Sequence, residues 1–301
     1  MRLFVTGGSG FIGSAVVPEL LGAGHEVVGL ARSDVSAAAL ANAGAEVLRG
    51  DLEDLDSLRR GAKASDGVVH LGYVHDFSDM TIGAAVDLRA VEAIGDTLAG
   101  SDKPFVITTG TLLLALGSVE IAPGGFGTEE DVSRAAMPRV ASENTAIALA
   151  ERGVRSSAIR LSPSVHGVGD HGFVPILIGI AREKGVSAFV GDGANRWPGV
   201  HRLDAARLFR LAVENAPAGS RWHGVGDEGV PFRDIAEVIG RHLHVPVRSV
   251  PSEEADEHFG FLGGLVSVDN PTSNALTRER LGWEPIEPGL LADLDEGHYF
   301  D

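Results

Sequence analysis

The stretch Thr6-Gly7-Gly8-Ser9-Gly10-Phe11-Ile12-Gly13 restricts this chain more than any other. A β-prone run, residues 2–6, leads into it. Behind it Phe11, Ile12, Val16, Val17, Leu20 and Leu21 fall on one face at helical spacing until Gly22 and Gly24 end the helix. A glycine turn that follows a strand and opens a helix is the context a dinucleotide fingerprint requires. Gly7 permits the tight turn, Gly10 lets the backbone approach a pyrophosphate, and Gly13 lets helix and strand pack closely. The free amides at this helix start, from Ser9 through Ile12, then face the anion.

The same strand-then-helix rhythm continues. Residues 2–6, 26–31, 45–49, 67–71, 104–108 and 156–160 read as strands, several of them largely apolar, as strands buried on both faces of a parallel sheet are. Residues 87–98 and 139–152 read as helices. The repeated βαβ unit predicts an α/β fold, a Rossmann-type doubly wound parallel sheet with helices on both faces. After about residue 167 the rhythm weakens around isolated helices at 204–214 and 232–243. The division expected is a dinucleotide-binding domain over 1–167, with contributions from about 196–224, and a smaller, interleaved substrate lobe mainly over 168–301.

Bulk properties exclude several partners. A length of 301 residues accommodates one large α/β unit with a smaller lobe. Lys plus Arg number 25 against 42 for Asp plus Glu, and a net charge of −17 repels a phosphate backbone, so nucleic acid is not an expected partner. With no cysteine there is no disulfide, no thiolate nucleophile and no Cys-ligated metal. The chain enters its first strand without a signal-peptide pattern, and apolar runs such as 112–116 fall far short of the ~20 residues a membrane span needs. A cytoplasmic location without membrane contact is expected.

The second strand ends Gly29-Leu30-Ala31-Arg32-Ser33, with no acidic residue where a ribose 2′-hydroxyl would be held. The Arg32 guanidinium suits a 2′-phosphate, which it can engage with two parallel bonds, and Ser33 can add a third donor. NADP is therefore favoured over NAD, the other reading of Arg32 being stacking on adenine or exposure to solvent.

The spacing Gly-x-x-Gly-x-x-Gly, with Thr6 in front and Phe11-Ile12 inside, resembles the extended branch of the short-chain dehydrogenase/reductase superfamily, the epimerase/dehydratase-like members. Gly50-Asp51-Leu52 is similar to that family's adenine-contacting pair, Asp51 and Leu52, and His70-Leu71-Gly72 to the small-residue turn, Leu71 and Gly72, that lines the cofactor. Thr108-Thr109-Gly110-Thr111 matches the end of the fifth strand, and Ser162-Pro163-Ser164 the nicotinamide-facing stretch. Leu281-Gly282-Trp283-Glu284-Pro285 is similar to the closing Leu-Gly-Trp-x-Pro motif. The resemblance implies an NAD(P)-dependent oxidoreductase or epimerase acting on a small carbonyl or hydroxyl substrate. It also implies a homodimer.

One part of the pattern is missing. The family's proton donor is a Tyr with a Lys four residues on. Here Arg139 and Glu143 stand in those places, or, shifted by one, Val140 and Asn144; Ser142 favours the first register. Arg139 and Glu143 could serve as an unconventional electrophile and base one helical turn apart, or form an ion pair of little consequence. Thr109, with Thr111 second, fits the hydroxyl that orients the substrate oxygen. Tyr73, His75 and His166 are further candidate acids, and Asp204 is expected to cap its helix. Arg196 and Trp197 lie where epimerases hold a substrate diphosphate, Trp197 offering an apolar wall. The His166, Asp170, His171 group and the His201, Asp204 pair lack metal-ligand spacing, so no metal is expected. The alternative to an enzyme is a non-catalytic NAD(P)-sensing protein.

Overall fold

The computed structural model describes residues 1–74, 80–116, 119, 121, 124–133 and 138–300. Within them the strands are β1 (Arg2–Thr6), β2 (Glu26–Ala31), β3 (Glu46–Arg49), β4 (Gly67–His70), β5 (Pro104–Gly110), β6 (Arg155–Leu161), β7 (Ser164–His166), β8 (Ser187–Val190), β9 (Arg196–His201), β10 (Ser220–Gly224), β11 (Asp227–Pro231) and β12 (Val247–Val250). The helices that position the site are α1 (Gly13–Gly22), α2 (Asp34–Asn42), α3 (Leu55–Lys63), α4 (Met80–Leu98), α5 (Leu112–Ala115), α6 (Pro138–Ala148), α7 (Phe173–Lys184), α8 (Arg202–Asn215) and α9 (Phe232–Leu243). Seven strands pair in parallel in the order β3-β2-β1-β4-β5-β6-β10, a Rossmann-type sheet. The order reverses between β1 and β4, and in open α/β sheets the ligand crevice lies at such a reversal, beyond the carboxyl ends of the strands.

Alternation along each strand explains the two covering layers. Leu3, Val5, Val27, Val69, Val106 and Ile159 face one side, where they pack with Val16, Val17 and Leu20 of α1 and Leu208, Phe209 and Val213 of α8. Phe4, Val28, Val68, Phe105, Ile107 and Ala158 face the other and meet Leu58 of α3, Val91 and Ile94 of α4, and Ala146 of α6. Successive side chains on a strand point to opposite faces, so a strand buried on both must be apolar at nearly every position. A third cluster lies apart from these. It joins α7, α9, β8 and Trp197 to the C-terminal segment through Leu290 and Leu294. Small sheets β7-β9-β11 and β8-β12 support it. No helix among the described residues is long and apolar enough to cross a membrane.

Element boundaries differ modestly from the sequence expectation. The fifth strand runs on to Gly110 because Thr109 and Gly110 still pair with Arg160 and Leu161. The helix expected over 87–98 begins a further two turns earlier, at Met80, and the one expected over 139–152 tightens into a 3-10 turn at Leu149–Arg152. Helix α8 starts at Arg202 with His201 as its cap, so Asp204 is not the cap. Instead the Asp204 carboxylate, 1% exposed, accepts the amides of Ile286 and Glu287 and pairs with Arg207, tying the closing Leu-Gly-Trp motif to α8.

One buried ion network joins β5, α6, β6 and β10. Arg160, fully buried on β6, donates Nε and Nη2 to the two carboxylate oxygens of Glu143 at 3.0 and 2.6 Å. Arg221 of β10 adds a bond at 2.8 Å, and the Thr109 hydroxyl a fourth at 2.9 Å. Burial by itself pushes the Glu143 carboxyl upward, but the hydrogen bonds and charges of Arg160 and then Arg221 outweigh it and hold the group at about 2. On the far side Arg160 Nη1 reaches His223 Nε2 at 3.4 Å, while His223 Nδ1 donates to the Ser273 carbonyl. Burial, with the Arg160 charge, lowers His223 to about 3 and keeps it neutral.

Removing one member of such a network strands a buried charge, at a cost of about 3–5 kcal/mol. Glu143→Gln is expected to lower the unfolding free energy by that order at pH 7. Because the folded carboxyl titrates below its unfolded value, its contribution is complete above about pH 4.5 and is lost as pH falls toward 2. Denaturant unfolding of both proteins across that range checks this: the gap between them should narrow with acid, and a gap that stays constant contradicts the assignment.

Candidate functional site

At Gly7 and Gly13 the glycine turn is packed so closely that side chains are excluded. Gly7 holds φ +69°, and a Cβ there would lie 2.6 Å from the Gly72 amide nitrogen. A Cβ on Gly13 would lie 2.1 Å from the Gly7 carbonyl oxygen. Gly10 donates back to the Gly7 carbonyl at 3.0 Å, and α1 begins without a side-chain cap. No group among the described residues accepts from the amides of Ser9, Phe11 and Ile12. Exposed Ser9 and half-buried Phe11 and Ile12 thus present unpaired donors at a helix start, the arrangement that receives an anion. A dinucleotide pyrophosphate fits this cradle.

Around the turn, the Thr6 hydroxyl accepts the Gly72 amide at 3.1 Å and lies 2.8 Å from His70 Nδ1. His70 Nε2 is 3.3 Å from Asp87 of α4, both side chains being buried. With the proton on Nε2, His70 donates to Asp87 and accepts from Thr6. Burial opposes a charge on Asp87, but the bond and charge of His70 and the charge of Arg139 outweigh it and hold the carboxyl below its ordinary value. Leu71 packs on the core and Leu52 lies against Gly72, so the pairs singled out after the third and fourth strands are brought together. Asp51 accepts the Glu53 amide.

At the end of β2, Arg32 is exposed and has no ion-pair or hydrogen-bond partner among the described residues. Ser33 is the N-cap of α2, its hydroxyl accepting the Ser36 amide at 3.1 Å. The nearby Asp34 carboxylate is taken by Arg49.

Where the sequence reading sought the Tyr/Lys pair, the side chains are arranged as neither register anticipates. Arg139 and Glu143 share a helix but separate: Glu143 turns into the Arg160–Arg221 network, while Arg139 donates to the Thr108 carbonyl at 2.7 Å and lays its guanidinium over the Tyr73 ring, 4.1 Å from the centroid. They form neither the electrophile-and-base pair nor a surface ion pair. A carboxyl held at about 2 has little basicity at neutral pH. Tyr73, half-buried just past β4, is raised above the usual phenol value by burial, the Arg139 charge opposing and Asp87 reinforcing.

The strand-end hydroxyls are also committed. Thr109 gives its proton to Glu143, and Thr111, wholly buried, accepts from Asn270 at 2.9 Å. Thr108, half-buried, donates to the His70 carbonyl at 3.0 Å. Ser162 donates to the Gly224 carbonyl, Pro163 is half-buried beside it, and Ser164 is buried. His166 is fully buried and bonded through Nδ1 to Asp293 at 2.9 Å, its ring edge-on to His201. His166 and His201 line a polar cavity of about 110 Å³ with Asp227 and Glu287. His75 lies outside the described residues. Asp293, Glu296 and His298 bring one ligand atom each within 4.8 Å of the others, a grouping outside the pairs weighed in the sequence.

Trp197 is not a substrate wall. It is 0% exposed and packs against Phe173 and Phe232 in the C-terminal cluster, because alternation on β9 turns it inward. Arg196 is clamped by both oxygens of Asp269 at 3.1 and 2.8 Å, which neutralises it for a substrate phosphate.

Sequence reasoning passed over Asp87, Arg160 and Arg202. The first two carry a legible signal: each is a charge inside an apolar periodic run, Asp87 between Ala84 and Val91 and Arg160 between Ile159 and Leu161, and such a charge must find a buried partner.

Residues 3–223 match the NAD dependent epimerase/dehydratase family. The uncharacterized protein C2A9.02 of Schizosaccharomyces pombe is 51% identical over the whole of both chains. The uncharacterized protein YLL056C of Saccharomyces cerevisiae is 48% identical over 98% of each. The fold is shared with a dTDP-glucose 4,6-dehydratase, DesIV of Streptomyces venezuelae, solved with NAD and TYD bound, at a TM-score of 0.77, 22% identity and coverage of 98% of this chain and 96% of that one. The chain belongs to the NAD-dependent epimerase/dehydratase family.

Proposed function

We propose that the protein is an NADP-dependent reductase of a small carbonyl compound in which Tyr73, held by Arg139, donates the proton. The observation that carries this reading is the Tyr73–Arg139 stack at the carboxyl ends of β4 and β5, Tyr73 directly following the Gly72 that lies against the glycine turn. A phenol and a cation, the two groups the family uses, are both present, but the phenol comes from the β4 loop and the cation from the helix that elsewhere carries the tyrosine.

The amides of Phe11 and Ile12 would hold the pyrophosphate, Arg32 the 2′-phosphate, Leu52 and Asp51 the adenosine end, and Leu71, Gly72, Thr108, Ser162 and Pro163 the remainder. When bound, the reduced dinucleotide supplies a hydride. Tyr73 stays protonated at neutral pH, since burial raises it, and so acts as an acid toward a carbonyl oxygen rather than as a base. The phenolate left behind is stabilised by the Arg139 guanidinium and regains its proton from solvent. The His70–Asp87 pair fixes the turn between β4 and Tyr73 and takes no proton in this scheme.

A second reading, a non-catalytic NAD(P) sensor, draws on one observation: Glu143 stands at the Lys position and is locked in a structural network. A screen of NADPH with ketones, aldehydes and imines separates the two. Turnover with some member is expected. Binding without any turnover favours the sensor.

Tyr73→Phe should lower kcat by about 100-fold or more while leaving the NADPH Kd unchanged. Wild-type reduction should stay flat from pH 6 to 9 and fall only above the ordinary phenol value of about 10. Full activity in the variant would remove Tyr73 from the chemistry. Separately, Arg32→Ala should weaken NADPH at least about tenfold and NADH not at all, checked by calorimetric titration. Equal effects on both would contradict the 2′-phosphate assignment.

A further inference from the structure

The glycine turn offers neutral N–H donors to a doubly charged group, in a chain whose net charge is −17. Residues 6–13 contain no Lys or Arg. A cation nevertheless reaches the turn from a distant part of the chain. Arg202, the first residue of α8, places its guanidinium 5.3 Å from the centroid of the Phe11 ring. Phe11 carries one of the unpaired amides, and His171 meets the same ring edge-on at 5.7 Å.

Arg202 is half-buried and has no carboxylate or hydrogen-bond partner among the described residues. The contrast within its own helix is sharp: Arg207 is tied to Asp204 and Glu287, and Arg210 to Glu19 and Glu214. An acidic protein that neutralises its other α8 arginines has left this one unpaired beside an anion cradle. The backbone is shaped to admit it. Gly167, at φ +130°, would place a Cβ 3.3 Å from Arg202 Cγ and 2.9 Å from His201 Nε2. Gly169, at φ +87°, would place one 3.9 Å from Arg202 Nη1.

We propose that Arg202 is a second, cationic grip on the dinucleotide pyrophosphate, closing over the glycine turn from the α8 side. This rests on the reading of the turn as a dinucleotide site. A guanidinium can engage two phosphate oxygens with parallel charge-assisted bonds, which the turn's amides cannot match in charge. Arg202 directly follows β9 of the small sheet, so the contact links bound cofactor to the part of the molecule that surrounds β7 and β9. It is distinct from Arg32: Arg202 addresses the pyrophosphate common to NADH and NADPH, Arg32 only the 2′-phosphate.

The test is calorimetric titration of NADH and NADPH into wild-type, Arg202→Met, Arg202→Lys and Arg32→Ala proteins at low and high salt, with the melting temperature of each cofactor-free protein measured alongside. Arg202→Met is expected to weaken both cofactors about equally, by roughly tenfold, and to flatten the salt dependence, while its melting temperature is unchanged. Arg202→Lys should retain part of the affinity. Wild-type binding with unaltered Kd values in Arg202→Met would overturn the inference while leaving the turn's assignment intact. Loss confined to NADPH in Arg202→Met would overturn it too. Failure of the wild-type protein to bind either cofactor would remove the pyrophosphate site, and the inference with it.

Discussion

Everything at the candidate site depends on how closely three backbone segments approach one another. The Gly7 turn lies against the Leu71–Gly72 peptide, and Gly13 of α1 lies against the Gly7–Gly8 peptide, at separations that admit no Cβ. This contact fixes where α1 begins, and so where its unsatisfied amides point. It also brings the ends of β1 and β4 together at the reversal of strand order, through the Thr6–Gly72 bond and the His70–Asp87 pair behind it. Tyr73 follows Gly72 directly in the chain, and its ring lies between the Arg139 guanidinium and Gly83 of α4.

Electrostatics divides the arginines by task. Arg160 and Arg221 are spent on Glu143 and stitch α6 to the far strands of the sheet. Arg196, Arg207 and Arg210 are held by carboxylates around β9 and α8. Arg32, Arg139 and Arg202 have no carboxylate partner among the described residues; Arg32 stands at the end of β2, Arg139 over the Tyr73 ring and Arg202 near Phe11. Arg155 and Arg182 also lack a carboxylate, but their guanidinium groups are taken by backbone carbonyls of 213–216 and of Phe300.

The sheet was legible in the sequence because buried parallel strands must be apolar on both faces and because the glycine pattern has few other structural uses. The glycine turn was legible for the same reason, and the family matched over residues 3–223 agrees with the resemblance read from Gly7, Gly10 and Gly13. The partners of Arg139 and Glu143 were not. Spacing placed Arg139 and Glu143 on one helix, but an i, i+4 relation does not say whether two side chains meet; Glu143 found stronger partners on β6 and β10, and Arg139 a ring on the β4 loop. Trp197 misled because position relative to a motif says nothing of which face of β9 it occupies. The ends of the fifth strand and of α4 were set by pairing and packing with distant segments, which local periodicity does not record.

The most direct measurement of the central claim is titration of NADPH and NADH into the wild-type protein and a Gly10→Val variant. A Cβ at Gly10 meets only the Gly7 carbonyl oxygen, at 3.3 Å, a tight contact that a shift of a few tenths of an ångström relieves, while the side chain stands in the way of an anion approaching the turn. Saturable binding of one dinucleotide per chain by the wild-type protein, abolished in a variant that keeps its melting temperature, is the result this account predicts. Binding that survives a folded Gly10→Val protein, or no binding by the wild-type protein, would contradict it.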